Sequence, residues 1–292
     1  MPEWLEDADV APWPAAHAGD ERAGDDGGAG VRVEALRGGA WLRLAYADGT
    51  RFLLERAGGE LWAAWEGSRD DAATYLLGPV LGLLLRLRGM LALHAAVASV
   101  DGHAVALAGP AGSGKSTAAA AFARAGHAVL ADDVAALEVR GGMFHALPGI
   151  PQLRLWPDSA ATLFGSADAL PRLAPPWEKR RMDLGAPGAF AAGPLPLAAV
   201  YLLSPRDEAR DEPNGKMIGP VAPAAALVEL AGQTFAGTLL DAGMRRREFE
   251  ALERLVRAVP VRRLATRHSR EGAGELVAAV ADDVWTLRSH AA

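Results

Sequence analysis

The chain has 292 residues, half of them hydrophobic, so it can bury a sizeable core and is expected to be globular. It contains no cysteine, which excludes a disulfide framework, a thiolate metal site and a cysteine nucleophile. The net charge of −6 comes from residues 1–30, and the nearly neutral remainder lacks the basic excess that would predict a nucleic-acid partner.

The first segment, residues 1–30, is predicted to be an acidic flexible arm. It carries eight acidic side chains against Arg22, and residues 15–30 show no apolar period. Its opening stretch, MPEWLEDADV, lacks the basic and apolar regions of a signal peptide. We therefore expect a cytoplasmic protein.

Residues 31–89 are predicted to form a small β-rich region with a connecting helix. Apolar-rich runs are separated by Gly-Gly or Asp-Gly pairs at 38–39, 48–49 and 58–59, which are typical of hairpins and indicate an antiparallel sheet of about four strands. Ser68 then has the character of a helix N-cap, with a helix ending near Arg88. The apolar run inside this helix is interrupted by Gly78, Pro79 and Gly82, so no membrane span is predicted.

Residues 90–292 alternate strands and helices and are predicted to form the main domain. LALHAAVASV and HAVALAG are predicted strands joined at Asp101-Gly102, followed by a helix over 115–125, a strand HAVLA and a hairpin turning at Gly141-Gly142. PLAAVYLL is a further predicted strand, and 248–259 and 274–287 have helical spacing. The proline-rich stretches 148–157, 171–176 and 187–196 are typical of loops.

A phosphate-binding loop is the strongest motif in the chain. GPAGSGKS satisfies G-x-x-x-x-G-K-[ST] and stands between a predicted strand and a predicted helix, where its backbone N–H groups can bind phosphate oxygens. Lys115 can reach the β- and γ-phosphates, and Ser116 can ligate Mg²⁺. The predicted nucleotide-binding residues are Gly109, Pro110, Ala111, Gly112, Ser113, Gly114, Lys115, Ser116 and Thr117.

Two further features flank this loop. AVLADD ends in Asp132 and Asp133, of which one can hold Mg²⁺ and the other can accept a proton from an attacking hydroxyl; a solvated helix-capping pair is the alternative. His94 lies on the strand before the loop strand, where it is either a proton-transfer group or a core histidine.

His94, the loop and the Asp pair together resemble the catalytic core of the bacterial HPr kinase/phosphorylase family. This resemblance extends over about residues 90–165 and implies an HPr-kinase-like P-loop kinase domain that uses ATP and Mg²⁺ to phosphorylate a serine hydroxyl of a carrier protein. It implies that Asp132 is the base, Asp133 is a metal ligand and His94 supports the base. The chain differs from the family in having Thr117 where an acidic residue is usual, and in lacking a clear Glu-Ile-Arg-Gly-Leu-Gly segment.

The chain is more similar to divergent HPr-kinase-related proteins, some of which modify ribosomally made peptides such as lasso-peptide precursors. That resemblance rests on PGIPQLRLWPDS, which contains Arg154, and on WEKR, which contains Lys179 and Arg180. These three cations can neutralise phosphoryl charge or hold an acidic peptide end, whereas a solvated loop is the alternative.

The predicted fold class is α/β, with a mostly β sheet at the centre of a P-loop kinase core and a small N-terminal antiparallel β region. The predicted function is transfer of the ATP γ-phosphoryl group to a serine-type hydroxyl of a protein or peptide. A small-molecule P-loop kinase and a non-catalytic ATP-binding switch remain alternatives, and a homo-oligomer is left open. Guanine-reading N-K-x-D and T-K-x-D motifs are absent, which favours ATP over GTP.

Overall fold

The computed structural model describes residues 10–12, 31–173, 177–204, 217–234, 240–265 and 269–290. The chain divides into two compact units, Met1–Met90 with Phe235–Phe249, and Leu91–Thr234 with Glu250–Ala292. Apart from a short strand at 10–12, the predicted flexible arm lies outside the described residues. The domain boundaries expected from the sequence stay a proposal.

The described residues include fifteen strands and seven α-helices, numbered here in chain order. The strands are β1 (Val10–Pro12), β2 (Arg32–Leu36), β3 (Trp41–Ala45), β4 (Arg51–Glu55), β5 (Leu61–Ala64), β6 (Leu91–Val100), β7 (His103–Ala108), β8 (Val129–Ala131), β9 (Val134–Arg140), β10 (Met143–Ala146), β11 (Gln152–Leu155), β12 (Arg180–Asp183), β13 (Leu195–Leu203), β14 (Ile218–Pro220) and β15 (Val261–Leu264). The helices are α1 (Arg69–Tyr75), α2 (Leu81–Leu87), α3 (Lys115–Arg124), α4 (Pro157–Phe164), α5 (Pro223–Ala231), α6 (Ala242–Ala258) and α7 (Arg270–Ser289).

The first unit contains a five-stranded antiparallel sheet in the order β1-β2-β3-β4-β5. Its turns contain Gly49 and Gly58 with φ of +86° and +77°, a backbone region that glycine enters at little cost. One face of the sheet buries Leu42, Leu44 and Phe52 against the following helices. The predicted small antiparallel β region is therefore confirmed, and β1 adds a fifth strand to the expected four.

The connecting helix starts as predicted and is then interrupted. The Ser68 side chain accepts a hydrogen bond from the Asp70 backbone N–H, which caps α1. A π-helical turn, Leu76–Val80, separates α1 from α2 and contains Pro79. Proline has no backbone N–H to donate to the residue four positions earlier, so the α-helical hydrogen bonding is interrupted by a wider π-helical turn before α2 begins.

The second unit is built on a mixed sheet. Its strand order is β10-β9-β6-β7-β13-β15-β14, with β8 also paired to β6 and β10 also paired to β13. Strand β13 runs parallel to β7 and β15, whereas the other pairings are antiparallel. Together with the helices, this sheet confirms the predicted α/β class.

Helices cover both faces of this sheet because its strands alternate apolar side chains between the faces. On one face, Leu107 and Tyr201 pack in the same buried cluster as Phe122 of α3 and Val280 of α7. The other face buries Val200 with residues of α5 and α6. Within the described residues, no helix combines the length and apolarity that crossing a membrane requires.

The proline-rich stretches are more ordered than predicted. Residues 152–155, within the predicted loop 148–157, form β11, which pairs with β12. Strand β13 begins at Leu195, inside the predicted loop 187–196. Residues 174–176 of the predicted loop 171–176 lie outside the described part of the chain. The loop prediction was wrong for β11 because its partner strand is distant in sequence and local composition does not reveal it.

A buried ion pair fastens α6 to α2 within the first unit. Arg86 is 5% exposed and its guanidinium pairs with the carboxylate of Glu248. Its Nη1 atom has no hydrogen-bond partner among the described residues. Removing the carboxylate would leave a buried guanidinium without its compensating charge.

We expect Glu248→Ala to lower the free energy of unfolding by about 3 kcal/mol, and the double variant Arg86→Met/Glu248→Leu to recover most of this loss. Urea unfolding followed by circular dichroism measures both effects. The exposed pair Arg257–Glu253 is the control, because Glu253→Ala should cost less than about 0.5 kcal/mol. Equal losses in the single and double Arg86/Glu248 variants would contradict the explanation.

Candidate active site

The antiparallel pairing of β6 with β7 places His94 beside the phosphate-binding loop. Ala95 of β6 stands opposite Ala108, the last residue of β7. His94 therefore lies level with Gly109, where the loop begins. Sequence order alone does not place these residues side by side, because 15 peptide bonds and a hairpin separate them.

The Asp pair lies beside the same strand. Strand β8 ends opposite Val97 of β6, and β9 begins opposite His94. Asp132 and Asp133 are the two residues between β8 and β9, so they lie along the edge of β6 that faces away from β7. One strand, β6, thus brings together the three features that the sequence predicted to act together.

The glycines of the loop are required by its geometry. Gly109 has φ of +153°, and a Cβ there would lie 2.9 Å from both the Leu203 carbonyl oxygen and Ser113 Oγ. Gly112 and Gly114 have φ of +75° and +96°. Glycine enters these left-handed conformations at little cost, and they turn the backbone ahead of α3, as is typical of phosphate-binding loops.

Polar groups of the loop fit a phosphate ligand. Lys115 Nζ donates to the carbonyl oxygens of Gly109 and Pro110 at 2.8 and 3.0 Å. Ser113 Oγ is buried and has no hydrogen-bond partner within the described residues. The loop also leads directly into α3, whose first-turn N–H groups attract anions. This donor set suits the phosphates of a nucleotide.

Ser116 connects the loop to Asp132. Its hydroxyl donates to Asp132 Oδ1 at 2.8 Å, while the backbone N–H of Arg154 donates to Asp132 Oδ2 at 2.8 Å. A hydroxyl next to a carboxylate at the end of a strand is the pair that holds Mg²⁺ in P-loop enzymes. The Thr117 hydroxyl instead contacts the Ser159 hydroxyl of α4 at 2.8 Å.

Asp133 faces a different set of groups. Its Oδ1 lies 3.8 Å from His94 Nε2, and its Oδ2 lies 3.5 Å from Nη1 of Arg154. Its φ of +64° is a left-handed conformation that Asp tolerates better than most residues do. The two neighbouring carboxylates therefore differ in partners, with Asp132 on the loop side and Asp133 on the histidine side.

The two environments shift the carboxyl pKa values in opposite directions. Burial raises the pKa of Asp132 to about 6, and the nearby charge of Asp133 adds to this, against the hydrogen bonds from Arg154 and Ser116. Burial would also raise the pKa of Asp133. However, the nearby His94 and the positive charges of Lys179 and Arg154 outweigh it and hold this pKa well below the ordinary value.

The three predicted cations do not act as one group. Arg154 and Lys179 are 7% and 9% exposed, and both influence Asp133. Arg180 instead donates to the carbonyl oxygens of Ala167 and Glu178, and to the Asp168 carboxylate. Its guanidinium holds the segment before β12. Sequence reasoning grouped Lys179 with Arg180 because they are adjacent, whereas adjacent residues near a strand face in different directions.

The described residues contain no cluster of three or more His, Asp or Glu side chains that would form a closed metal cage. Mg²⁺ rarely needs such a cage, because it keeps several waters and uses one or two carboxylates together with phosphate oxygens. Ser116 and Asp132, in contact at 2.8 Å, supply oxygen donors of that kind. The donor chemistry therefore fits a magnesium–nucleotide complex.

Comparisons with known proteins give a distant structural similarity. No protein-family model matches the chain, and no curated protein matches it. The chain is similar to the Hpr(Ser) kinase/phosphatase from Coxiella burnetii, with a TM-score of 0.40 and 14% sequence identity, over 68% of this chain and 93% of that one.

Proposed function

We propose that the protein is an ATP-dependent kinase that transfers the γ-phosphoryl group to a serine-type hydroxyl of a protein or ribosomally made peptide. The observation that carries this proposal is that the two residues of the Asp pair have different partners. Asp132 contacts Ser116 of the loop, and Asp133 lies beside His94. A site that only bound nucleotide would need the first arrangement and not the second.

The loop holds the nucleotide in this proposal. Its backbone N–H groups and the Ser113 hydroxyl bind phosphate oxygens, and the absence of a side chain at Gly109 leaves room for that hydroxyl. The Lys115 ammonium exchanges its present carbonyl partners for the β- and γ-phosphates. Lys115 is 7% exposed, so its charge acts in a site with little water.

Ser116 and Asp132 hold Mg²⁺ in this proposal, which reverses the assignment expected from the family resemblance. Bound there, Mg²⁺ would neutralise phosphate charge during transfer. Asp132 is the better ligand because its Oδ1 already accepts from the loop hydroxyl. Its raised pKa reflects burial and the nearby charge of Asp133, and a divalent cation bound there would favour the ionised form.

Asp133 and His94 serve the acceptor hydroxyl in this proposal. Asp133 stays ionised because its pKa is held low, so its carboxylate can orient the hydroxyl and take its proton late in the reaction. His94 Nε2, 3.8 Å away, positions this carboxylate. The pKa values alone favour Asp132 as the stronger base, but the contact with Ser116 commits Asp132 to the loop side.

Transfer to a polypeptide serine is the outcome that tests the function. Wild-type protein with ATP, Mg²⁺ and serine-containing peptides or dephosphorylated casein should add phosphoryl groups to serine, detected by mass spectrometry. Lys115→Ala should reduce this by at least about 10²-fold, because it removes a cation from the phosphates. Rapid transfer to a sugar or other metabolite, with none to polypeptides, would favour a small-molecule kinase. Nucleotide binding without any transfer would indicate a switch.

The Asp pair should separate in a metal titration. We expect Asp132→Asn to raise the Mg²⁺ concentration needed for half-maximal activity by about tenfold. Asp133→Asn and His94→Ala should each lower kcat by about 10²-fold with little change in ATP affinity. The double variant His94→Ala/Asp133→Asn should have a kcat only slightly below that of Asp133→Asn alone, because His94 acts through the Asp133 carboxylate. Interchanged results for the two aspartates would restore the assignment implied by the resemblance.

The raised pKa of Asp132 predicts a pH dependence of stability in metal-free protein. The folded state favours the protonated carboxyl, so this contribution is complete below the unfolded pKa and is lost as the pH rises through about 6. Wild type should therefore lose stability relative to Asp132→Asn as the pH rises. The Tm of Asp132→Asn minus that of wild type should increase from pH 5 to pH 7.5, by on the order of a few °C. Scanning calorimetry measures it, and a difference independent of pH would contradict the assigned shift.

A further inference from the structure

The Lys179 ammonium, near the Asp pair, lies against an aromatic ring. Leu155 of β11 pairs with Arg180 of β12, so the residues that flank this pair, Trp156 and Lys179, are brought to the same end of the two-stranded sheet. Lys179 Nζ lies 5.1 Å from the centre of the Trp156 ring, within the range of a cation–π interaction. The indole therefore holds the ammonium in one place.

The burial of this pair is asymmetric. Lys179 is 9% exposed, whereas the Trp156 ring is 39% exposed. A lysine normally extends its ammonium into water, and burying it costs free energy unless nearby groups compensate. The aromatic face supplies one compensation. The pair also lies on the Asp133 side of the site, because Arg154 of β11, two residues before Trp156, contacts the Asp133 carboxylate at 3.5 Å.

Neighbouring cations have other partners. Lys115 donates to carbonyl oxygens at the start of the loop. Arg180 is bound to the Ala167–Asp168 segment and to the Glu178 carbonyl oxygen. The Arg154 guanidinium contacts Asp133 directly. Lys179 is a flexible side chain with a point charge that contacts the Trp156 ring. It lies on the Asp133 side of the site, whereas Lys115 lies at the phosphate-binding loop.

We propose that Lys179, positioned by Trp156, is a second catalytic cation that neutralises the phosphoryl group as it reaches the acceptor on the Asp133 side. This inference rests on the proposed function. In the transfer, the acceptor oxygen bonds to the γ-phosphorus, and the bond from that phosphorus to the β–γ bridging oxygen breaks with its electron pair leaving on ADP. The hydroxyl proton passes to the Asp133 carboxylate.

During this step the phosphoryl group passes between the leaving and acceptor oxygens with its negative charge spread over its three equatorial oxygens, while further negative charge develops on the leaving oxygen. Lys115 serves the leaving side, because it belongs to the loop that binds the β-phosphate. A cation on the acceptor side contributes only when the phosphoryl group moves toward it, so it lowers the barrier rather than the nucleotide dissociation constant. This difference separates the inference from a simple nucleotide-binding role.

The test uses the full chain and ATP, with water as the acceptor probe, and follows phosphate release in single turnovers. Lys179→Met should slow the transfer by about 10²-fold, while the dissociation constant of a fluorescent N-methylanthraniloyl-ATP changes by less than about threefold. Lys179→Arg should retain part of the rate, because the charge remains while its shape changes. Trp156→Leu should lose about tenfold, and Trp156→Phe should lose less, because phenylalanine keeps an aromatic face.

A matched control exists elsewhere in the same unit. The Arg124 guanidinium lies 5.1 Å from the centre of the Phe164 ring, the same separation as in the Trp156–Lys179 pair. Arg124→Met and Phe164→Leu remove a cation or a ring from that pair and should leave the single-turnover rate unchanged.

The outcomes distinguish the inference from the function on which it rests. A large loss with Lys115→Ala together with a wild-type rate for folded Lys179→Met would overturn the inference alone. Equal rates for wild type and Lys115→Ala would overturn the proposed function and the inference with it. A Lys179→Met loss that appears entirely in the nucleotide dissociation constant would also overturn the inference, because it would make Lys179 a binding residue.

Discussion

The register of β6 is the constraint on which the candidate site depends. This strand pairs with β7, β8 and β9, and each pairing fixes one component of the site. Pairing with β7 sets the start of the phosphate-binding loop level with His94, and pairing with β8 and β9 places the Asp pair along the opposite edge of β6, between the levels of His94 and Val97. Because side chains alternate between the faces of a strand, a shift of one residue would turn His94 to the opposite face of the sheet.

A second consequence of this geometry is that two adjacent carboxylates have unlike surroundings. Ser116 and the Arg154 backbone hold Asp132, whereas His94 and the Arg154 guanidinium face Asp133. Two neighbouring acids in one environment would compete for the same cation or proton. Asp133 also has a left-handed backbone conformation, with φ of +64°.

Arg154 links these two environments. Its backbone N–H binds Asp132, and its guanidinium binds Asp133, so one residue of β11 sets the position of both carboxylates. The pairing of β11 with β12 also brings Trp156 and Lys179 to the same place. The small two-stranded sheet thus connects the phosphate-loop side of the site with the segment proposed to act on the acceptor side.

The sequence by itself determined the local features of the protein. The Gly-rich motif ending in Lys115-Ser116, the hairpin turns and the helix cap at Ser68 follow from backbone conformations and hydrogen bonds between near neighbours, which local residue types specify. The α/β class followed from the alternation of strand and helix patterns. Only the tertiary structure decided that β11 is a strand, that Lys179 and Arg180 have different partners, and that Asp132 rather than Asp133 contacts Ser116. Each of these depends on strand pairing between residues far apart in the chain, and the hydrogen bonds that set such a register are made by backbone groups that every residue shares.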